Sequence, residues 1–202
     1  MKIKGKKVLQ IYRPRNIPNP NEVIQYWRDV VRQYCGDELY IIAGFNESYE
    51  LYKNWNWKNI GFDALSEFAP GPQTQFFKNI TKTKKFVTDT FTGSIYDYKD
   101  FVVKQKYFSM NIDKMYRSVI PMWDNTARRA NDGSIFDGST PELFEKWLTD
   151  VIIENKNRID LDDNIVFISA WNEWAEGAYL EPDKKYGHSY LNAILNAILK
   201  NR

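Results

Sequence analysis

The sequence predicts an α/β fold of the (β/α)8 TIM-barrel type, and three features carry that expectation. Short apolar runs alternate with amphipathic helical segments five times along 202 residues, with no break in composition that would divide the chain. An apolar fraction of 43% with 16% aromatics is ample for a packed core and excludes a disordered chain. Polar or aromatic residues follow every predicted strand: Arg13, Asn46–Glu47, Glu67, Trp123–Asn125 and Trp171–Trp174. A barrel gathers all its strand exits on one face, whereas an open doubly wound sheet collects ligands at one switch point.

The elements follow in order. Lys7–Tyr12 reads as a strand stopped by Arg13-Pro14. Pro20 and Asn21 open an amphipathic helix with Val23, Tyr26, Trp27, Val30, Val31 and Tyr34 at spacings of three and four, and Gly36 is its stop. Leu39–Phe45 is a continuous apolar run of the buried parallel type. A weaker helix is expected around Glu47–Trp55, a third strand over Phe62–Phe68, and a helix over Ile95–Gln105, with Gly71–Gly93 unassigned. Arg117–Met122 is the fourth strand. Ser139-Thr-Pro-Glu142 reads as a capping box opening a helix through Ile152. Ile165–Ala170 is the fifth strand, and Ser189–Lys200 the last helix.

Composition excludes several function classes. Lys and Arg total 28 against 26 Asp and Glu, a net +2 without a basic stripe, so no nucleic-acid partner is expected. One cysteine, Cys35, forms no internal disulfide, and with one histidine, His188, it cannot make an ordinary zinc site. P-loop and dinucleotide fingerprints are absent, so no cofactor or metal is predicted. No apolar run approaches the ~20 residues of a membrane span, and the basic start lacks a signal-peptide core, which points to the cytoplasm.

The segment richest in chemistry is Ala170–Pro182, which places Glu173 and Glu176 three residues apart just beyond a buried strand. One helical turn would face both carboxylates the same way, with Cβ atoms ~5–6 Å apart. Mutual repulsion and the apolar flanks of Trp171 and Trp174 would separate their roles into acid and base. Cleavage or transfer at a sugar's anomeric carbon needs such a pair, and indole rings stack on sugar C–H faces. Glutamates three apart are common on exposed helices; the strand exit, Asn172 and Gly177 distinguish this pair. Trp123, Asp124, Asn125 and Arg128 leave the fourth strand as candidate hydroxyl-binding groups, although Asp and Asn there also suit a helix cap. Asp63, Leu65 and Glu67 share one strand face, where a buried carboxylate requires a partner. Two other patterns read as structural. Asp160-Leu-Asp162 precedes a strand and is expected to be a solvated turn; His188 has no nucleophile elbow and is expected to enter the last helix.

Residues 171–183, with Tyr186-Gly187 and Tyr190-Leu191, resemble the closing motif of WbsX-type polysaccharide-biosynthesis glycosyltransferases, which carry a domain similar to glycoside hydrolase family 99. Pro121–Arg128, Gly61–Pro70 and Gly5–Pro14 resemble three earlier signatures of that family. The resemblance implies a barrel acting on a glycan or sugar-nucleotide substrate in lipopolysaccharide, O-antigen or capsule assembly. It implies Glu176 as acid/base at the glycosidic oxygen, and Glu173 as the base that lets the sugar 2-hydroxyl attack the anomeric carbon. Asn172, Tyr179 and Glu181 join Glu67, Trp123, Asp124, Asn125, Arg128, Trp171 and Trp174 as substrate contacts. Ala175 departs from the hydrolases, which carry a polar residue there, and the earlier signatures fit the biosynthetic branch better. An endo-acting α-mannosidase is the alternative enzyme, and a non-catalytic glycan-binding or scaffold fragment the alternative of another class. A minimal barrel takes ~250 residues. The resemblance implies that the five units are strands four to eight of one glycan-processing domain over 1–202, with three N-terminal βα units expected in cis or in trans.

Overall fold

The computed structural model describes residues 1–46, 51, 54–71, 74, 77–85, 88–104, 112–158 and 160–202. In chain order these form Lys2–Ile3 (β1), Lys6–Ile11 (β2), Pro20–Cys35 (α1), Leu39–Phe45 (β3), Trp57–Ile60 (α2), Ala64–Glu67 (β4), Ser94–Asp97 (β5) and Tyr98–Lys104 (α3). Met115–Tyr116 (β6), Ser118–Val119 (β7), Trp123–Asp124 (β8), Thr126–Arg129 (α4), Ser134–Asp137 (β9) and Pro141–Lys156 (α5) follow. Phe167–Ile168 (β10), Asn172–Glu173 (β11), Ala178–Tyr179 (β12) and Ser189–Lys200 (α6) complete the chain. The expected helix over Glu47–Trp55 falls largely outside the described residues.

The main sheet is parallel from β2 through β3 and β4 to β6, and β7 pairs in parallel with β10. The parallel strands are thus neighbours in chain order, without the reversal that makes a switch point. Among the described residues β10 and β2 do not pair with each other, and β1 lies antiparallel on the free side of β2. β3 is buried at every position, as a strand covered on both faces requires. Ile24, Leu39, Ile41, Ala43, Leu65 and Met115 form the core between α1 and the outer face of the sheet. On the other face Tyr40, Ile42, Ala64 and Tyr116 close around Ile3, which the β1 hairpin tucks in. The third core joins α3, α5 and α6 through Phe101, Trp147, Val151 and Ala197.

Several expectations are corrected. The fourth strand is two short pieces on either side of Arg117, and Ile120–Met122 lie beyond them. The break has a cause: Glu67 Oε2 accepts the Ser118 N–H at 3.0 Å and the Arg117 Nε–H at 2.8 Å, taking the place of a ladder carbonyl. Pairing therefore passes from β4 to β10 at Arg117. The third and fifth strands are shorter than expected. The segment read as a helix over Ile95–Gln105 begins as β5, which joins β9 and β8 in a second sheet. Asp97 Oδ1 then accepts the Lys99 and Asp100 amides and starts α3. Thr140, not Ser139, caps α5 by accepting Leu143 N–H, because the Ser139 hydroxyl is held by the Pro121 carbonyl and Tyr190. His188 stands at the N-cap of α6, as expected.

The Asp160–Asp162 segment is more than a solvated turn. Arg158 and the Lys114 amide hold Asp160; Lys4, Lys114 and the Tyr40 hydroxyl converge on Asp162. Hydrogen bonding from Arg158 draws the Asp160 carboxyl down to about 2. Burial opposes ionisation of Asp162, but its three donors outweigh it and draw it to about 2 as well. These bonds fasten the segment leading into β10 to the β1 turn, to β3 and to the start of β6.

Candidate functional site

Residues from four strand exits meet in one cleft of about 400 Å³: Tyr12 after β2, Asn46 after β3, Phe68 after β4, and Trp123 and Asn125 after β7. The Asn46 side chain donates to the Tyr12 carbonyl at 2.7 Å, and the Tyr12 and Phe68 rings lie 4.9 Å apart. The expectation that strand exits share a face therefore holds for these four. Arg13 is not in the lining; its guanidinium sits over the Tyr12 ring at 5.4 Å.

The acidic pair lies beyond the fifth parallel strand. β11 and β12 form a hairpin in which Asn172 pairs with Tyr179 and Glu173 with Ala178. Its tip is one 3-10 turn over Trp174–Glu176, closed by Gly177 N–H on the Trp174 carbonyl at 3.1 Å. Glu173 is the last residue of β11 and immediately precedes the turn, and Glu176 ends it, so the pair flanks the turn instead of lying within one helical turn as expected. Gly177 has φ +58°, and a Cβ there would stand 2.9 Å from the Asp124 amide nitrogen. Glycine therefore allows the hairpin to rest against the backbone after β7, bringing the fourth and fifth strand exits together.

Glu176 is held against that neighbouring exit by an ion pair with Arg128, which lies on α4. The Glu176 side chain is 15% exposed and Arg128 61%. Glu173 is exposed, and its carboxylate makes no hydrogen bond or ion pair among the described residues. Trp171 is 54% exposed and Trp174 48%, so both indoles face solvent rather than core. The Trp174 N–H donates to Glu181 Oε2 at 2.6 Å, and one face of its ring stacks on Tyr179 at 3.7 Å and 14°. That leaves the other face of the indole open.

The remaining predicted residues divide by how their polar atoms are used. Asp124 Oδ1 accepts from the Thr126 amide and hydroxyl at 3.0 and 2.6 Å, so it holds the first residue of α4, whose N-cap is Asn125. Asn125 is buried, and its side-chain oxygen accepts the Ser134 N–H at 2.7 Å, joining the exit to β9. The Trp123 indole N–H donates to the Ser134 hydroxyl at 3.1 Å, and its ring lines both this cleft and a larger neighbour. Glu67 is 4% exposed and lines neither cleft; its carboxylate lies in a buried triad with Arg117, which also reaches Glu154 at 2.7 Å. Asp63, on the same strand face, is partnered by Arg28 at 2.7 Å. Asn172 is exposed at the hairpin base. The Tyr179 hydroxyl donates to Asp183 at 3.2 Å, and burial followed by that carboxylate raises its pKa.

Tyr12, Phe68, Asp183 and Tyr186 were not among the expected site residues, although Asp183 and Tyr186 belong to the closing family motif. Tyr12 was legible as the last residue of the first strand. No strand was expected at β9; Gly133 and Gly138, which bracket Ser134–Asp137, are the local signal that marks it. Among the described residues no cluster of three His, Cys, Asp or Glu could hold a metal ion, and no helix is long and apolar enough to cross a membrane.

Comparison with known proteins follows the same lines. The WxcX protein of Xanthomonas campestris pv. campestris strain B100 is 29% identical over 202 residues, covering 99% of this chain and 28% of that protein. The chain thus spans little more than a quarter of that relative's length. A solved glycoside hydrolase-like protein superposes with a TM-score of 0.59 at 18% identity, over 98% of this chain and 55% of its own. That likeness shows a shared mixed α/β fold. A GH99 endo-α-mannosidase from Bacteroides thetaiotaomicron superposes with a TM-score of 0.47 at 13% identity, over 96% of this chain and 68% of its own. The model of glycosyltransferase WbsX matches residues 1–194, so the chain belongs to the WbsX glycosyltransferase family.

Proposed function

We propose that this chain is a glycan-processing catalytic domain that transfers a glycosyl group in bacterial surface-polysaccharide assembly in the cytoplasm. A glycan acceptor and a sugar-nucleotide donor are its substrates, and the chain is part of a (β/α)8 barrel to which further βα units contribute. The observation that carries the reading is the tip of the β11–β12 hairpin. There two carboxylates flank one turn between exposed indoles; Arg128 orients one, and the other has no structural partner among the described residues. Structural carboxylates elsewhere in this chain are bonded several times over. In this reading Glu176 exchanges a proton with the oxygen at the anomeric carbon while Glu173 acts as the base. Trp171 and Trp174 offer ring faces to the sugar. Asn172, Tyr179 and Glu181 complete the hairpin's contacts, and Glu67 supports the fold beneath.

The test gives wild type and Glu176→Gln an α-mannan and a sugar-nucleotide donor in parallel. Donor consumption that falls by about 10²-fold or more in the variant supports transfer. Release of oligosaccharide with the same dependence would replace transfer by endo-hydrolysis on the same residues. Turnover unchanged by Glu176→Gln would remove Glu176 from the chemistry. Saccharide binding without turnover, surviving loss of both glutamates, would make the chain a binding module.

A further inference from the structure

A second cleft, larger than the one that gathers the four strand exits, is lined by neither Glu173 nor Glu176. It measures about 1040 Å³ and lies between β8, the end of β9, the β11–β12 hairpin and the turn at residues 182–186. Its aromatic lining is dense: Trp123, Trp174, Tyr179, Tyr186 and Tyr190. Trp174 and Gly177 belong both to this lining and to the turn that carries Glu176. The cleft therefore adjoins the carboxylate pair across one turn of backbone.

Its walls are held by bonds among the lining residues themselves. The Tyr190 hydroxyl meets the Ser139 hydroxyl at 2.7 Å, and the Tyr186 hydroxyl donates to the Ser139 carbonyl at 3.3 Å. Asp183 organises the far wall: its side chain accepts the Lys185 and Tyr186 amides and the Tyr179 hydroxyl, and its carbonyl accepts the Gly187 amide at 2.9 Å. Tyr186 packs edge-on against Tyr190 at 5.4 Å and 88°, while Trp174 is fixed by Tyr179 on one face and by Glu181 at its N–H. Aromatic rings locked by such bonds lose little freedom when a ligand arrives, which is what a binding surface needs. The volume is at the top of the roughly 300–1,000 Å³ range of ligand sites and exceeds what one sugar ring fills.

We propose that this cleft is a second glycan site, taking several sugar units of a chain whose end reaches the Glu173–Glu176 turn. Lys185 Nζ lies over one face of the Tyr186 ring at 4.6 Å, so its other face, with those of Trp174 and Trp123, stacks on the sugar C–H faces. Asp183 and Ser139 serve as positioning residues for those rings. The proposal rests on the glycan reading above and extends it from a reacting carbon to a bound chain.

The test titrates the protein that carries residues 1–202, together with the βα units that complete its barrel, with mannohexaose, maltohexaose and cellohexaose, and with the matching monosaccharides, by calorimetry. At least one hexaose is expected to bind at least about tenfold more tightly than its monosaccharide. Tyr186→Ala should weaken that hexaose about tenfold, the worth of one aromatic contact, while Tyr186→Phe stays within about twofold. A second measurement needs no variant: the indole N–H resonances of Trp123 and Trp174 should move on hexaose binding, and those of core Trp147 and helix α1 Trp27 should not. Hexaoses that bind no better than monosaccharides, an affinity untouched by Tyr186→Ala, or unmoved Trp123 and Trp174 resonances would each overturn the proposal. The Glu173→Gln/Glu176→Gln double variant separates the two readings. It should bind the hexaose within about twofold of wild type while losing turnover. If turnover ignores the glutamates and the Tyr186 effect remains, the catalytic reading fails and the cleft stands. If turnover needs them and Tyr186→Ala has no effect, the cleft fails alone.

Discussion

Two acidic motifs lie on either side of β10, and the chain treats them in opposite ways. Asp160 and Asp162, before the strand, are enclosed by Arg158, Lys114, Lys4 and Tyr40, and both carboxyls are drawn to about 2. Of Glu173 and Glu176, after it, only Glu176 is paired, with the exposed Arg128, and Glu173 faces solvent. The first pair is spent on the fold: its bonds close the end of the sheet where the parallel strands begin. The second is left available at the end where they finish, the end at which α/β folds place ligands. Saturation by internal donors, rather than the presence of two acids, separates a structural pair from a candidate reactive one.

That comparison can be broken in four places, taken from the largest expected loss of stability to the smallest. Arg117→Met removes the buried guanidinium that neutralises Glu67 and Glu154. It should cost about 3–5 kcal/mol in urea unfolding, the most of any single change here. A loss under about 1 kcal/mol would show that the triad is not a structural charge network.

Asp162→Asn should cost about 1–3 kcal/mol at pH 7, because three donors lose their anion. The folded carboxyl ionises below its ordinary 3.8, so its stabilisation is whole above about pH 4 and is lost as pH falls toward about 2. Wild type and variant should therefore converge in that window when melting temperature is followed against pH. A constant difference down to pH 2 would contradict the hub.

Gly177→Ala should cost about 1–2 kcal/mol, since alanine resists positive φ and its Cβ would press on the Asp124 backbone. The same change should pull Glu176 from Arg128, and thermal melting with a turnover assay would read both effects together. Glu173→Gln should change stability by no more than about 0.5 kcal/mol, because an exposed carboxylate without an internal partner contributes little. Turnover should fall by about 10²–10⁴-fold in that variant if it is the base. A large stability loss would move Glu173 into the class of Asp162.

Much of this contrast was readable without coordinates. The apolar run Leu39–Phe45 and the helices Pro20–Cys35 and Ser189–Lys200 have the bounds that their periodicity and stop signals predict. The hairpin at 171–179 was legible as a strand exit carrying paired acids and indoles. Harder to read were the elements that depend on distant partners. β5 and β9 are four residues each and form because they pair with one another, so Ile95–Asp97 looked like the start of a helix. The fourth strand shifted because Glu67, about fifty residues upstream, supplies an acceptor to Ser118.

The sequence by itself determined the alternation of strands and helices, the placement of Glu173 and Glu176 at a strand exit, and the family signatures that run through residues 1–194. Those properties are local, set by periodicity, turn residues and short spacings. Only the tertiary structure decided which carboxylates are consumed. Burial and hydrogen bonding come from segments far apart in the chain: Lys4 reaches Asp162, Arg117 reaches Glu67, and Arg128 reaches Glu176. A charge's cost and its availability depend on what surrounds it in space, and no spacing along the chain encodes that.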